Sequence, residues 1–242
     1  MFEKLYSILR KSFFLRKTLG PIYRKYEQLK LSRFHEKERA NFNRNALEAM
    51  RAFDKCMSQN GRRYCLATGT LLGAIRDGGF IPHDEDIDTF MSIKDYSPEI
   101  IDELAKDGIR LRRSFSIEDG KFGKEDSFVY KGVQIDIFYV YPEDEENSYF
   151  TDYVFFQDCV SSKVSIKKHG GLLPRKILMP QIIGIKRIPF MNLLLPVPVN
   201  SDEILKSRYG DSYMIPNPAW SPFENNPNVQ TWPEKVGKYV EY

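Results

Sequence analysis

The sequence lacks any apolar run of about 18 residues, the length a membrane-spanning helix needs. It also lacks the marks of a secretory leader. Basic residues are scattered through residues 1–24, the longest apolar run there is too short for a signal-peptide core, and no small-residue cleavage site follows. These absences predict a cytoplasmic protein. Cysteine is scarce: Cys56, Cys65 and Cys159 are odd in number and have no paired metal spacing. They read as reduced, partly buried thiols rather than a disulfide framework. Only three histidines occur, none spaced for zinc, which argues against a zinc hydrolase. No internal repeat and no low-complexity tract is present.

What is present is a chain of 242 residues, 42% of them hydrophobic, enough for one well-packed domain with an appendage. The 14% aromatic share argues against disorder. The net charge of +3 conceals an asymmetry. Residues 1–63 hold 16 Lys and Arg against 6 Asp and Glu, whereas the rest holds 20 against 27. A basic segment on an acidic body implies different partners for the two parts. The basic part is either a solvated helix face or a contact for an anionic membrane surface or polyanionic acceptor. No base-stacking or base-reading motif accompanies the charge, so nucleic acid is not an expected partner. Two regions are expected: a basic helical extension over residues 1–62 and a domain over 63–242, catalytic if the motifs below are what they resemble.

Residues 1–20 form a short basic amphipathic pattern that Gly20-Pro21 breaks. Ala46, Met50, Phe53 and Met57 fall at helical spacing within one or two helices over residues 22–60, stopped by Gly61. A short strand at 64–67, a Gly69-Thr70 turn and a helix at 71–76 follow, then Asp77-Gly78-Gly79. Residues 86–91 read as a strand, and Ser97-Pro98 opens a helix that stops at Gly108. Strands are expected at 109–117, 127–130 and 133–140, with turns at Asp119-Gly120 and Lys131-Gly132. Residues 149–160 resemble another strand. Residues 172–199 are apolar, proline-rich and basic, and suggest little regular structure: core plus loop, or an interfacial segment. Ser201 is expected to cap a last helix ending near Tyr209-Gly210, and the tail from Asn217 onward reads as loop.

The chemistry concentrates between residues 67 and 88. On a strand, residues i and i+2 leave the same face, so Asp86 and Asp88 project together with Cβ atoms roughly 6.5–7 Å apart. Two carboxylates so placed can hold a hard divalent cation, Mg²⁺ or Mn²⁺, which keeps waters for substrate phosphates. Asp136 sits mid-strand between Ile135 and Ile137 and is the expected third acid, as metal ligand or general base. Asp84 precedes the strand and either helps the metal or does not. His83 either contacts phosphate or is a loop residue. Gly69 and Thr70 open a helix, where free N–H groups and the helix dipole favour phosphate. Arg76 reaches either a phosphate or Asp84.

Gly69-Thr-Leu-Leu-Gly-Ala-Ile-Arg followed by Gly79-Phe-Ile-Pro-His-Asp-Glu-Asp-Ile-Asp resembles the signature of the LicD family, which includes bacterial phosphocholine transferases and fukutin-related proteins. Arg208-Tyr-Gly-Asp-Ser-Tyr-Met-Ile-Pro resembles that family's C-terminal Tyr-Gly-Asp element. The resemblance implies an α+β, nucleotidyltransferase-like fold: a mixed β-sheet flanked by helices, here with an N-terminal helical extension. It implies transfer of a phospho-alcohol group, phosphocholine-like, from a CDP-activated donor such as CDP-choline or CDP-ribitol. The acceptor would be a hydroxyl of a cell-surface glycan or its lipid-linked precursor. Asp86 and Asp88 match the family's metal pair and Gly69-Thr70 its phosphate turn, while Asp136 is the third acid by position. The chain has His83 where the family commonly has Trp, and Glu85 where it has Asp.

Two other readings use the same residues. A nucleotidyltransferase would attack the α-phosphate and release pyrophosphate. A non-catalytic nucleotide- or glycan-binding partner of a polysaccharide-synthesising complex would keep the fold without turnover.

Overall fold

A computed structural model describes residues 20–217, 220 and 226–242, with side chains from residue 35 onward. The amphipathic pattern over residues 1–19 therefore lies outside the described residues. The first helix, α1, runs Gly20–Gln59. Pro21 falls in its first turn, where the missing N–H costs nothing, so the expected breaker is a helix start. Phe42, Ala46, Ala49, Met50, Phe53, Cys56 and Met57 recur along one stripe and are buried. Gly61, at φ 64°, ends the helix by the left-handed turn that favours glycine, and the Arg62 N–H returns to the Met57 carbonyl at 2.8 Å.

The sheet begins with β1 (Cys65–Leu66), α2 (Thr68–Arg76) and β2 (Asp86–Ser92). After α3 (Glu99–Lys106) come β3 (Arg110–Ile117), β4 (Gly123–Tyr130), β5 (Val133–Pro142) and β6 (Asn147–Val154). Then follow α4 (Ser162–His169), β7 (Leu173–Pro180), β8 (Ile185–Phe190), β9 (Leu193–Pro198), α5 (Ser201–Tyr209), β10 (Val229–Thr231) and β11 (Lys238–Glu241). Among the described residues, nine strands form one sheet in the order β10-β7-β6-β5-β4-β3-β11, with β2 attached at β5 and β1 at β2. β2 lies parallel to β5, whereas every other pair is antiparallel. The sheet is therefore mixed, and the α+β class holds. Ile87, Ile135, Ile137 and Tyr139 are wholly buried on the face opposite the carboxylates, in the same core as the α1 stripe.

Three expectations are corrected. Residues 172–199, expected to hold little regular structure, form β7, β8 and β9. Their prolines stand near the two ends of β7 (Pro174 and Pro180) and in the two-stranded β8–β9 ribbon, where fewer ladder N–H groups are required. The tail contributes β10 and β11, which extend the sheet at its two edges. Ser201 is not the cap of α5; Asn200 holds that position, and the Ser201 hydroxyl donates to the Pro198 carbonyl at 2.5 Å.

The β8–β9 ribbon steadies the loop ahead of β2. At its tip the Met191 N–H donates to the Gly78 carbonyl at 2.7 Å. Phe80 stands edge-on to both Phe42 of α1 (5.0 Å) and Phe190 of β8 (4.8 Å). The acidic loop is thus pinned between a helix and a ribbon. Among the described residues, no helix is long and apolar enough to cross a membrane.

Candidate active site

The parallel register of β2 and β5 sets Asp88 beside Asp136 and Asp86 beside Gln134. Neighbouring strands lie ~4.8 Å apart, so residues that the sequence separates by fifty positions share one patch. One ligand oxygen from each of Asp86, Asp88 and Asp136 lies within 4.8 Å of the others. Two of the three carboxylates are tethered by side chains. The Thr68 hydroxyl donates to Asp88 Oδ2, and Gln134 Nε2 donates to Asp136 Oδ2 at 2.8 Å. Arg113 of β3 stands 3.6 Å from that same Oδ2. Asp136 Oδ1, by contrast, is buried and hydrogen-bonds to nothing. A buried carboxylate oxygen without a donor costs on the order of 1–3 kcal/mol, and more when charged, unless a cation meets it.

The electrostatics point the same way. Burial, reinforced by the neighbouring Asp88 and Asp136, pushes the Asp86 carboxyl well up. Burial and Asp136 push Asp88 up to about 7, against the Thr68 hydrogen bond. Burial raises Asp136 too, and Arg113 opposes it. Glu125 of β4 is fully enclosed behind them and is raised by burial and by Asp136. Four acids repelling one another, with one arginine among them, favour either protons or a metal. The oxygen-only trio with an open Oδ1 fits a hard divalent cation.

The residues expected around this trio divide. Gly69 lies at the cleft wall: a Cβ there would sit 3.3 Å from Asp84 Oδ1 and 4.0 Å from Asp88 Oδ2. Thr70 does not reach the cleft. It is 1% exposed, and its hydroxyl accepts the Asp88 N–H at 2.9 Å, locking α2 to β2. The expected phosphate turn is the first turn of α2 itself, which Ala67 leaves without a side-chain cap. Arg76 pairs with its neighbour Asp77 at 2.8 Å rather than with Asp84. Asp84 lines the cleft, accepts the Ile81 N–H at 3.0 Å and is raised to about 7 by burial. His83 is exposed at the cleft edge. Glu85 turns to α1, where it meets His35 at 2.8 Å and Arg39 at 3.5 Å.

The cleft measures about 1000 Å³, the upper range of small-ligand sites. Its far wall is Arg208, Tyr209 and Trp220. Among the described residues, Arg208 Nε and Nη1 are buried without a hydrogen-bond partner, while its guanidinium lies over the rings of Phe150, Tyr209 and Trp220. A cation with idle donors, opposite an acid cluster, can bind an anion between them. Sequence reasoning placed Arg208 in a motif without giving it a role, and missed Thr68, Arg113, Glu125 and Trp220. Thr68 adopts φ 38°, unusual for a β-branched residue, and holds Asp88 from that strained position.

The fold is α+β, and its cleft is lined by the carboxylates of Asp84, Asp86 and Asp88 and by the Arg208 guanidinium. The chain belongs to the LicD family: the family model described as "LicD/FKTN/FKRP, nucleotidyltransferase domain" matches residues 61–200. It is similar to the protein described as "Ribitol-5-phosphate transferase FKTN" of Mus musculus, 28% identical over 205 residues, or 79% of this chain and 39% of that one. The Homo sapiens relative of the same description is 28% identical over 204 residues, covering 81% and 40%. That of Macaca fascicularis is 28% identical over 200 residues, covering 79% and 39%. The chain thus spans about two-fifths of the length of the curated relatives it matches.

Proposed function

We propose that this protein transfers a phospho-alcohol group from a CDP-activated donor to a hydroxyl of a glycan or of its lipid-linked precursor. The carrying observation is the unsatisfied Asp136 Oδ1 beside Asp86 and Asp88, which share the cleft lining with Arg208. Asp86, Asp88 and Asp136 would hold Mg²⁺ or Mn²⁺. Such an ion supplies charge neutralisation for the phosphates and for the leaving nucleotide. Arg208 would bind a phosphate oxygen from the other wall, and the uncapped first turn of α2 offers further N–H donors. Thr68 and Arg113 keep two of the carboxylates aimed. Tyr209 and Trp220 give an apolar surface against which the donor is oriented and water is displaced.

The relatives' description favours ribitol 5-phosphate as the first group to test, ahead of the phosphocholine that the sequence motif suggests. The assay is CMP release from CDP-ribitol, CDP-glycerol and CDP-choline with Mg²⁺ or Mn²⁺ and a glycan acceptor. Asp86→Asn/Asp88→Asn is the control. Metal-dependent CMP release with one donor, lost in the double variant, supports the proposal. Pyrophosphate release from CTP instead would replace it with a nucleotidyltransferase. Metal-dependent nucleotide binding without turnover would replace it with a binding partner.

A further inference from the structure

We infer that Asp158, Cys159 and His169 form a second metal site, suited to a zinc-like divalent ion and separate from the carboxylate trio. The three residues come from the loop after β6 and from the last turn of α4. None of them lines the cleft. The loop is tied to the helix at both ends. Ser161 Oγ accepts the Val164 N–H at 3.4 Å, while Ser165 Oγ accepts the Phe156 N–H at 3.4 Å and donates to the Gly171 carbonyl at 2.8 Å. The Cys159 N–H closes the loop onto the Phe156 carbonyl at 2.9 Å. Phe156 in turn stacks on the His169 ring, with centroids 4.1 Å apart and planes at 23°. The imidazole is therefore oriented before any ion arrives.

One carboxylate oxygen organises the group. Asp158 Oδ1 accepts from the Cys159 thiol at 3.4 Å and lies 2.9 Å from His169 Nε2. One ligand atom from each of the three residues lies within 4.8 Å of the others. In a tetrahedral zinc site the ligands stand ~2.0–2.3 Å from the ion, hence about 3.3–3.8 Å from one another. An ion taking the place of the thiol and imidazole protons needs movements of only about 1 Å. Lys168 pairs with the other oxygen, Oδ2, at 2.5 Å, and so leaves Oδ1 to the ion. Thiolate and imidazole select a borderline-soft metal, whereas the oxygen trio of the cleft selects a hard one. A fourth position is open to water. Cys159 is 6% exposed, so the thiol is shielded while the carboxylate side faces solvent. The sequence spacing concealed the group, because helix α4 separates the cysteine from the histidine.

The test uses the whole protein, stripped with a chelator and titrated with Co²⁺ as a spectroscopic substitute for Zn²⁺. The expected result is a thiolate-to-cobalt charge-transfer band that saturates at one equivalent and is erased by Zn²⁺. The band should disappear in Cys159→Ser and His169→Asn, with Zn²⁺ affinity lowered at least ~10-fold in each. It should persist in Asp86→Asn/Asp88→Asn, which separates this site from the cleft. A wild-type protein without the band, or a band that survives Cys159→Ser, overturns the inference.

Discussion

At the scale of single residues, the cleft is defined by groups that the folded chain leaves unpaired. Among the described residues, Asp136 Oδ1 and the Nε and Nη1 of Arg208 are buried and have no hydrogen-bond partner; Arg208 lines the cleft with Asp86 and Asp88, and one oxygen of Asp136 lies within 4.8 Å of theirs. Arg208→Ala should lower kcat/KM for the donor ~10²–10³-fold, the range for losing one preorganised anion donor. Arg208→Lys should recover little, because an ammonium cannot reproduce the planar fork. Metal-induced thermal stabilisation should survive in both variants; its loss would show that Arg208 serves packing instead. The acids yield a second prediction. Asp84 and Asp88 both have folded pKa values raised to about 7, whereas an unfolded aspartate titrates near ~3.9. Between those limits the folded chain binds more protons than the unfolded one, so stability falls as pH rises. The penalty is absent below about pH 4 and complete above about pH 7. In EDTA, Tm should therefore decline from about pH 5 to about pH 8, and Mg²⁺ should restore more at the higher pH. The decline should flatten in Asp86→Asn/Asp88→Asn. An equal slope in that variant would remove the acid cluster as its cause.

At the scale of elements, the site depends on how closely α2 approaches the loop that feeds β2. A Cβ on Gly73 would lie 2.3 Å from the Gly79 carbonyl oxygen and 3.2 Å from the Ile81 nitrogen. Both are backbone atoms and cannot step aside by a rotamer change. Gly73→Ala should cost ~1–3 kcal/mol in urea unfolding and should weaken metal-induced stabilisation as the acidic loop shifts. Gly78→Ala is the contrast. Its Cβ meets nothing, so only the left-handed backbone at φ 67° is penalised, by ~1 kcal/mol, with metal response intact. Equal metal responses in the two variants would contradict the packing argument. The same elements show what was legible beforehand. The alternation in 133–140 announced β5 and its inward Asp136, and Asp86-Ile87-Asp88 announced β2, because period two is visible in single residues. The pairing of those strands was not visible, since register depends on contacts fifty residues apart. The ribbon over 185–198 was hidden by its prolines, which a two-stranded edge tolerates. Thr70 was misassigned for a related reason: a helix-start threonine looks alike whether its hydroxyl meets a ligand or, as here, the N–H of the next strand.

At the scale of the whole molecule, the basic segment and the acidic body are not packed as separate units. The buried stripe of α1 lies in one continuous core with β2, β5 and the β8–β9 ribbon. Phe42 and Phe53 are 1% and 0% exposed, and Asp54 pairs with Tyr64 at 2.8 Å and with Arg187 of β8 at 2.6 Å. From Phe42 to Met57 the helix therefore completes the fold with its buried side. A chain beginning at residue 63 would expose the faces of β2 and β5 that α1 covers. It would also lose seven buried side chains of that stripe, among them two phenylalanines and two methionines. Each of those four large side chains contributes on the order of 1.5–3 kcal/mol when fully buried, so their sum is comparable to the whole net stability of a typical domain. The truncated chain should fail to unfold cooperatively and should bind an apolar dye, whereas removal of residues 1–19 alone should leave the described core contacts of α1 in place. Circular dichroism melts of the two truncations decide the matter. A cooperative melt from the chain starting at residue 63 would show that the sheet and its acid trio stand without α1, and would support the expected division into an extension over residues 1–62 and a domain over 63–242.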